Sequence, residues 1–313
     1  MSKPTELVPV GIDLGSLHAR VAIGDAPNIN IISNAQGARH TLALVGTDYN
    51  ADDDGRPDGK NNYIFGDAAR RALARDKKPT ISKDPSSMVR ELVRSSSSVV
   101  EDDGASAEEA SAAAASFFSH LTDLACDSSS SHPSKLRTVV SVPVASTSEE
   151  QHAVVDILER GIDEALAARQ QSTNEAKPKK KKNADNSKEP LVLAVITDPA
   201  AVCVAHGLTD IDHPPGIVDL AAHKNDPSSL KHILVIDWAA SGLTATHVCR
   251  TSMNSSLLTI VRHVSDTSCS GAAIVQILAN HCASMFERKC RVSGVLDSKK
   301  GEYWIGQVFA YVH

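Results

Sequence analysis

Two short runs in this 313-residue chain carry groups that could handle a phosphate and its counter-ion. The first, Asp13-Leu14-Gly15-Ser16, closes the apolar stretch LVPVGIDLG at residues 7–15. A carboxylate at the end of a buried strand can hold Mg²⁺, commonly through water, and a Gly-Ser turn offers backbone N–H groups to a phosphate. The second, Asp237-Trp238-Ala239-Ala240-Ser241-Gly242, closes HILVID in the same way and could form a facing jaw. One Asp-x-Gly is a weak signal, because many strand ends read like this. Two copies, each opening a similar half of the chain, are a stronger one.

The elements around these runs repeat. Apolar, β-branched runs at residues 7–15, 17–24, 28–33 and 41–47 predict strands. A helix is predicted over 67–76, DAARRALARD, with Asp67 at its start. Residues 48–62 are too polar and turn-rich to pack. The Ser/Ala-rich insert 95–116 predicts a flexible first half and a helical second half, which FFSHLTDLAC continues. A strand at 136–142 stops at Pro143. Ser146 and Glu149 then have capping-box spacing, ahead of a helix in which Val154, Leu158, Ile162 and Leu166 share a face. Residues 191–196, LVLAVI, predict another buried strand, and Pro199 suits the first turn of a helix at 200–207. Beyond a polar connection at 210–231 the order restarts. Strands at 232–237, 243–248 and 257–264 lead to a helix at 271–290, with Ile274, Leu278, Cys282 and Met285 aligned. The repetition marks a duplicated α/β fold of βββαβα halves, the second incomplete.

Composition narrows the function. The chain is 42% hydrophobic and 22% charged, enough to pack a sizeable core. Mean hydropathy is −0.17. A net charge of −6 excludes a globally basic nucleic-acid binder, though not a local basic patch. No stretch approaches the roughly 18 apolar residues of a membrane span, and the N-terminus lacks the basic flank and apolar run of a secretory signal. Cysteines 126, 203, 249, 269, 282 and 290 form no CxxC, which fits a reducing, cytoplasmic setting. No Gly-x-Ser-x-Gly elbow supports a hydrolase triad.

Longer blocks are familiar in type and in order. VGIDLGSLHARVAI (10–23), IISNAQGARHTLALV (31–45), YIFGDAARRALARDKKPTI (63–81), TVVSVPVASTSEEQ (138–151), VITDPAAVCVAHGL (195–208), HILVIDWAASGLTATHV (232–248) and SDTSCSGAAIVQILANH (265–281) follow one another. In this the chain resembles the ATPase domain of the heat shock protein 70 (DnaK-type) family over about residues 8–290. The resemblance implies an actin-like (ribonuclease H-like) ATPase fold of two lobes with ATP or ADP and Mg²⁺ in the cleft. It implies Asp13, Gly15, Ser16 and Leu17 in a first phosphate loop and Asp237, Ser241 and Gly242 in a second. Gly271 would lie against the nucleotide, Asp198 would take the place of a catalytic glutamate, and Asp13 and Asp237 would face Mg²⁺ through water. On this reading residues 1–209 are the first lobe, carrying the 95–116 insert and a Lys-rich loop at 177–190. Residues 210–301 are a partial second lobe, and 302–313 an atypical tail, for which a gene-model artefact is one hypothesis.

The departures from the family predict weak chemistry. Val89 stands where the family has a lysine that orients the attacking water, with Arg90 adjacent; valine donates no hydrogen bond. Ala239, Ala240 and Ser241 replace three glycines, and their Cβ atoms are expected to crowd a backbone that must approach phosphate and for which positive φ is a further expected demand. Gly242 replaces a threonine, Thr244 an acid, Ala272 and Ala273 further acids, and Leu17 a polar residue. Asp198 is one methylene shorter than glutamate. Phosphoryl transfer depends on positioning and charge stabilisation, so ATP binding with slow or absent hydrolysis is expected.

This pattern resembles the atypical, ribosome-associated Ssz-type branch. That implies a cytoplasmic chaperone partner, not an enzyme, which pairs with a J-domain protein of the zuotin type and assists a separate active heat shock protein 70 on nascent chains. The alternative is an active DnaK-type ATPase with Arg90 substituting for the lysine. A sugar kinase of the same fold is disfavoured, because the match extends outside the phosphate loops. Lys177, Lys179, Lys180, Lys181 and Lys182 could touch ribosomal RNA, against the plainer reading of a solvated charge run. His281, Cys282 and Cys290 lack ligand-pair spacing, and the two cysteines are expected as core thiols.

Overall fold

The computed structural model describes residues 7–24, 28–47, 63–75, 104–129, 135–173, 191–208, 231–250, 258–291 and 293–294. The expected loops at 48–62 and 177–190, Val89, Arg90, the five loop lysines and the 302–313 tail lie outside these residues. Among them the chain runs β1 (Leu7–Leu14), β2 (His18–Ile23), β3 (Asn30–Ile31), β4 (Thr41–Leu42), β5 (Val45–Thr47), β6 (Tyr63–Phe65), α1 (Gly66–Arg75) and α2 (Gly104–Ser128). It continues through β7 (Lys135–Val142), α3 (Ser148–Thr173), β8 (Val192–Thr197), α4 (Asp198–Ala205), β9 (Lys231–Trp238), β10 (Leu243–Arg250), β11 (Leu258–Asp266) and α5 (Gly271–Cys290). Two compact units form, Met1–Ile196 and Thr197–His313.

In the first unit, period-2 alternation on β1 buries Val10, Ile12 and Leu14. β1 pairs antiparallel with β2 and parallel with β7, inside a sheet of order β3-β2-β1-β7-β8 with β4 also joined to β2. Alanine favours the helix of α2, and its small side chains let it pack closely: Ala113, Ala114 and Ala115 are fully buried beside Phe117, Phe118 and Leu121. α3 turns Val154, Leu158 and Ile162 into the same core, with Leu166 packed against it, as their spacing predicts. Across the two helices, Arg169 Nε donates to Asp123 Oδ1 at 2.8 Å and its Nη2 to Asp127 Oδ1 at 2.5 Å. Burial pulls the Arg169 guanidinium down, but these carboxylates outweigh it and push it up. Burial also pushes the neighbouring Cys126 thiol up.

Four local expectations are corrected. Residues 41–47 are two strands, because Ala43 N–H turns to the Leu17 carbonyl at 2.8 Å; β4 then stays on β2 while β5 pairs with β6. The capping box lies one residue later than Ser146 and Glu149. Ser146 N–H closes a turn on Pro143, while Thr147 Oγ1 accepts from Glu150 N and Glu150 Oε2 accepts from Thr147 N. β8 buries only Val192, and Leu193 is 51% exposed. Such a run does not by itself tell a strand covered on both faces from one covered on one.

In the second unit β10 lies between β9 and β11, antiparallel to both. α4 packs on β9 and β10 through a small core of Cys203, Val235 and Val248. The fourth correction is in α5. Its buried face is Val275, Ala279 and Ala283, one position round the helix from the expected stripe, and Ile274, Leu278, Cys282 and Met285 are exposed. Cys282 and Cys290 are therefore surface thiols, not core ones. A stripe of large side chains and a stripe of small ones share the same period, and here the small one makes the contact.

His120 in α2 stacks on Phe65, ring centroids 5.1 Å apart, and burial lowers its pKa from 6.5, partly offset by Asp123. Its folded form therefore resists a proton that the unfolded chain takes up near pH 6.5. The stability this contributes is complete above that pH and is lost as pH falls below it. Thermal unfolding should show a drop in Tm between pH 7.5 and pH 5.5 that His120→Phe reduces. Equal drops in the two proteins would remove His120 as a source of acid sensitivity.

Candidate functional site

The first turn is built by β1 and its two neighbours. Asp13 sits opposite Arg20 on β2 and opposite Ser141 on β7 in the strand registers. Arg20 Nη1 donates to Asp13 Oδ2 at 2.8 Å, and Ser141 Oγ donates to Asp13 Oδ1 at 3.1 Å. The Asp13 and Arg20 side chains are 41% and 50% exposed, so the pair faces solvent. Gly15, Ser16 and Leu17 make the connection to β2. Gly15 N–H donates to the His18 carbonyl at 3.1 Å, and a Cβ on Gly15 would stand 2.7 Å from that oxygen. This is the reason for glycine here: the turn closes too tightly for a side chain.

The second turn joins β9 to β10. Asp237 pairs with Thr244 in the register, and Ala239 N–H closes the turn on the Gly242 carbonyl at 2.8 Å. The turn then seats on the start of α5, where Gly271 N–H donates to the Ala239 carbonyl at 3.0 Å and Ala272 N–H to the Ala240 carbonyl at 3.1 Å. Two of the N–H groups that a helix leaves open are thus taken by the turn itself. Ser270 caps the helix by accepting from Ala273 N at 3.0 Å. A Cβ on Gly271 would lie 3.4 Å from Ala240 Cα, so this glycine packs against the turn. Trp238 Nε1 donates to the Cys269 carbonyl at 2.6 Å and ties β9 to the same loop. The side-chain and backbone donors of Ser268, joined by those of Cys269, hold the Asp266 carboxyl below its usual range.

Replacement of the glycines does not strain this turn. Among the described residues the only non-glycine with positive φ is Arg291, which caps α5. Ala239, Ala240 and Ser241 keep ordinary backbone, contrary to the expected need for positive φ. The carbonyls of Ala239 and Ala240 accept from the start of α5, so the turn leans on the helix.

The structure therefore gathers Asp13, Gly15, Ser16 and Leu17 at one turn, and Asp237, Ser241, Gly242 and Gly271 at another. Asp198 opens α4, whose Cys203 shares the small core with Val235 of β9. Arg20 and Ser141 were not foreseen. Arg20 was legible, since a hairpin closed by residues 15–17 sets it across from Asp13. Ser141 was not, because the contact spans 128 residues and depends on a parallel register.

A carboxylate that accepts from Arg20 on one oxygen and Ser141 on the other is a poor fit for a divalent cation at Asp13. Mg²⁺ demands near-octahedral oxygen geometry and keeps several waters, and the adjacent guanidinium repels it.

Twin strand–turn–strand units, each with an aspartate beside its turn, on mixed α/β layers define the class: an actin-like ATPase fold. The family is shown by comparison. The Hsp70 protein family matches residues 9–302, and the chain belongs to the Hsp70 family. ATPase domains of this family bind ATP or ADP with Mg²⁺, the family serves chaperone function, and it generally works with J-domain proteins. A comparison with curated proteins finds no match. Among the described residues no helix is long and apolar enough to cross a membrane.

Proposed function

We propose that this protein is an ATP-binding chaperone partner with weak or no hydrolysis, acting in the cytoplasm as an Ssz-type subunit of a ribosome-associated complex. Its partners on this reading are a J-domain protein of the zuotin type and a separate active Hsp70 that works on nascent chains. Asp13, Gly15, Ser16 and Leu17 would form one phosphate loop and Asp237, Ser241 and Gly242 the other, with Gly271 behind the second and Asp198 in the position of the water-activating acid. The observation that carries the reading is the engagement of Asp13 by Arg20 and Ser141. A carboxylate committed to two neighbours no longer helps a metal arrange a triphosphate for attack. Val89 in place of the orienting lysine and the shorter Asp198 point the same way.

Calorimetric titration with ATP should show binding, while single-turnover hydrolysis stays slow. Val89→Lys alone should raise that rate by less than about tenfold, because Asp13 stays engaged by Arg20 and Ser141. Robust hydrolysis in the unaltered chain, abolished by Asp198→Ala, would instead establish the active DnaK-type ATPase.

A further inference from the structure

We infer that Arg20 stands in for the divalent cation at the first phosphate turn, so that nucleotide engages this site largely independently of Mg²⁺. The inference deepens the ATP-binding reading and rests on it. The placement of Arg20 is set by the ladder: Asp13 is its direct cross-strand partner, and β1 is held on its other side by β7. The tight Gly15 turn, three residues long between β1 and β2, holds that register. Arg20 approaches Asp13 at 2.8 Å and Ser141 donates to the second carboxylate oxygen, so each oxygen already accepts a hydrogen bond and a guanidinium stands where a hydrated metal would bring its charge.

What remains of Arg20 suits a phosphate. A guanidinium has five N–H donors in a planar fork and never loses its charge. The contact to Asp13 is made through Nη1, and the side chain is half exposed, which leaves other donors open to a ligand on the strand that follows the Gly15-Ser16 turn. Asp13 then orients the guanidinium, and the guanidinium supplies the positive charge that a phosphate requires. Arg binds phosphate bidentately, with directional hydrogen bonds and no demand for octahedral geometry. Ser141 serves as a positioning residue that fixes the Asp13 carboxylate.

The test uses the full chain and two independent readouts. ATP is titrated calorimetrically in excess Mg²⁺ and in EDTA at matched ionic strength. The two Kd values should agree within about threefold, and Arg20→Ser should weaken metal-free binding by about tenfold or more while making binding Mg²⁺-dependent. Arg20 is exposed, so its removal should leave the fold intact, which circular dichroism checks. Wild-type binding that collapses in EDTA, or an Arg20→Ser variant with the same metal dependence as wild type, overturns the inference. The second readout needs no nucleotide. Mn²⁺ should leave the backbone amide signals of Asp13 and Gly15 sharp in wild type and broaden them in Arg20→Ser. Broadening in wild type overturns the exclusion of the cation. A folded chain that binds ATP in neither buffer overturns the ATP-binding reading, and the Mn²⁺ experiment still decides what Arg20 does at Asp13.

Discussion

Gly161→Leu should cost the first unit more than about 3 kcal/mol, beyond the usual range for an overpacked core. A Cβ at this position would lie 2.5 Å from the Ala115 carbonyl oxygen, 2.8 Å from Phe118 Cβ and 3.0 Å from Ser119 N. Two of these atoms are backbone of α2 and the third is fixed to it, so none can swing aside as the tip of a side chain would. Nor can the helix retreat alone, because Ala113, Ala114, Ala115, Phe117 and Phe118 are fully buried along the same stretch. Even Gly161→Ala should destabilise, although alanine exceeds glycine in helix propensity by about 1 kcal/mol. The sign is therefore diagnostic: a gain on Gly161→Ala would mean that α2 and α3 do not cross here. Denaturant unfolding followed by far-ultraviolet circular dichroism gives the magnitude. The sequence from Met1 to Ile196 contains no tryptophan, so tryptophan fluorescence separates damage to the first unit from general unfolding.

The strands around both aspartates were legible in the sequence because alternation and turn chemistry are local. Val10, Ile12 and Leu14 on one face of β1 leave Asp13 on the other, and the small residues after each aspartate announce a turn. Helices α2 and α3 were legible from alanine content and from the spacing of Val154, Leu158 and Ile162. The failures came where two candidates compete and a distant partner chooses. Ser146 and Thr147 both precede an acid at the capping spacing, and Pro143 decides between them by drawing Ser146 N–H into a turn. On α5 the large stripe and the small stripe have equal periodicity, and the small one is buried. In residues 41–47 the alternation continues through Ala43, but Leu17 captures its N–H and splits the strand.

The candidate site shows the same split. The two turns could be placed from residue types, and so could Arg20 across from Asp13, whereas the second partner of Asp13 could not. That neighbour, Ser141 on β7, lies 128 residues away. The second turn was expected to suffer from lost glycines, through crowding of a phosphate and through backbone freedom, and the structure bears on the second of these. The carbonyls of Ala239 and Ala240 instead find donors at the start of α5, and this support stabilises ordinary φ values where glycine was thought necessary. One turn thus carries an ion pair while the other keeps regular geometry. On the proposed reading the ion pair bears on catalysis more than on binding, because phosphoryl transfer is more sensitive to misplaced charge than association is.

Phe117→Ala should destabilise the first unit by about 3–5 kcal/mol and loosen the strand that carries Asp13. Phe117 is fully buried, with its ring centroid 6.0 Å from that of Phe65 and 6.4 Å from that of Phe118. Truncation removes a large apolar surface and leaves a space that neither neighbour can fill, since Phe65 is also stacked on His120. Val10, Ile12 and Leu14 share this core, so the loss reaches β1 through packing with no change in any residue of the first turn. Phe117→Leu, which retains most of the volume, should cost less than about 1.5 kcal/mol and separates the cavity from the loss of the aromatic ring. Native-state hydrogen exchange should show faster opening of β1 amides, including those flanking Asp13, in Phe117→Ala while β9 and β10 are unchanged. Slower ordering at Asp13 should then weaken ATP binding in proportion to the fraction of chain with β1 formed. A cost below about 1 kcal/mol, or exchange that rises in β9 as much as in β1, would show that α2 does not hold the first turn in place.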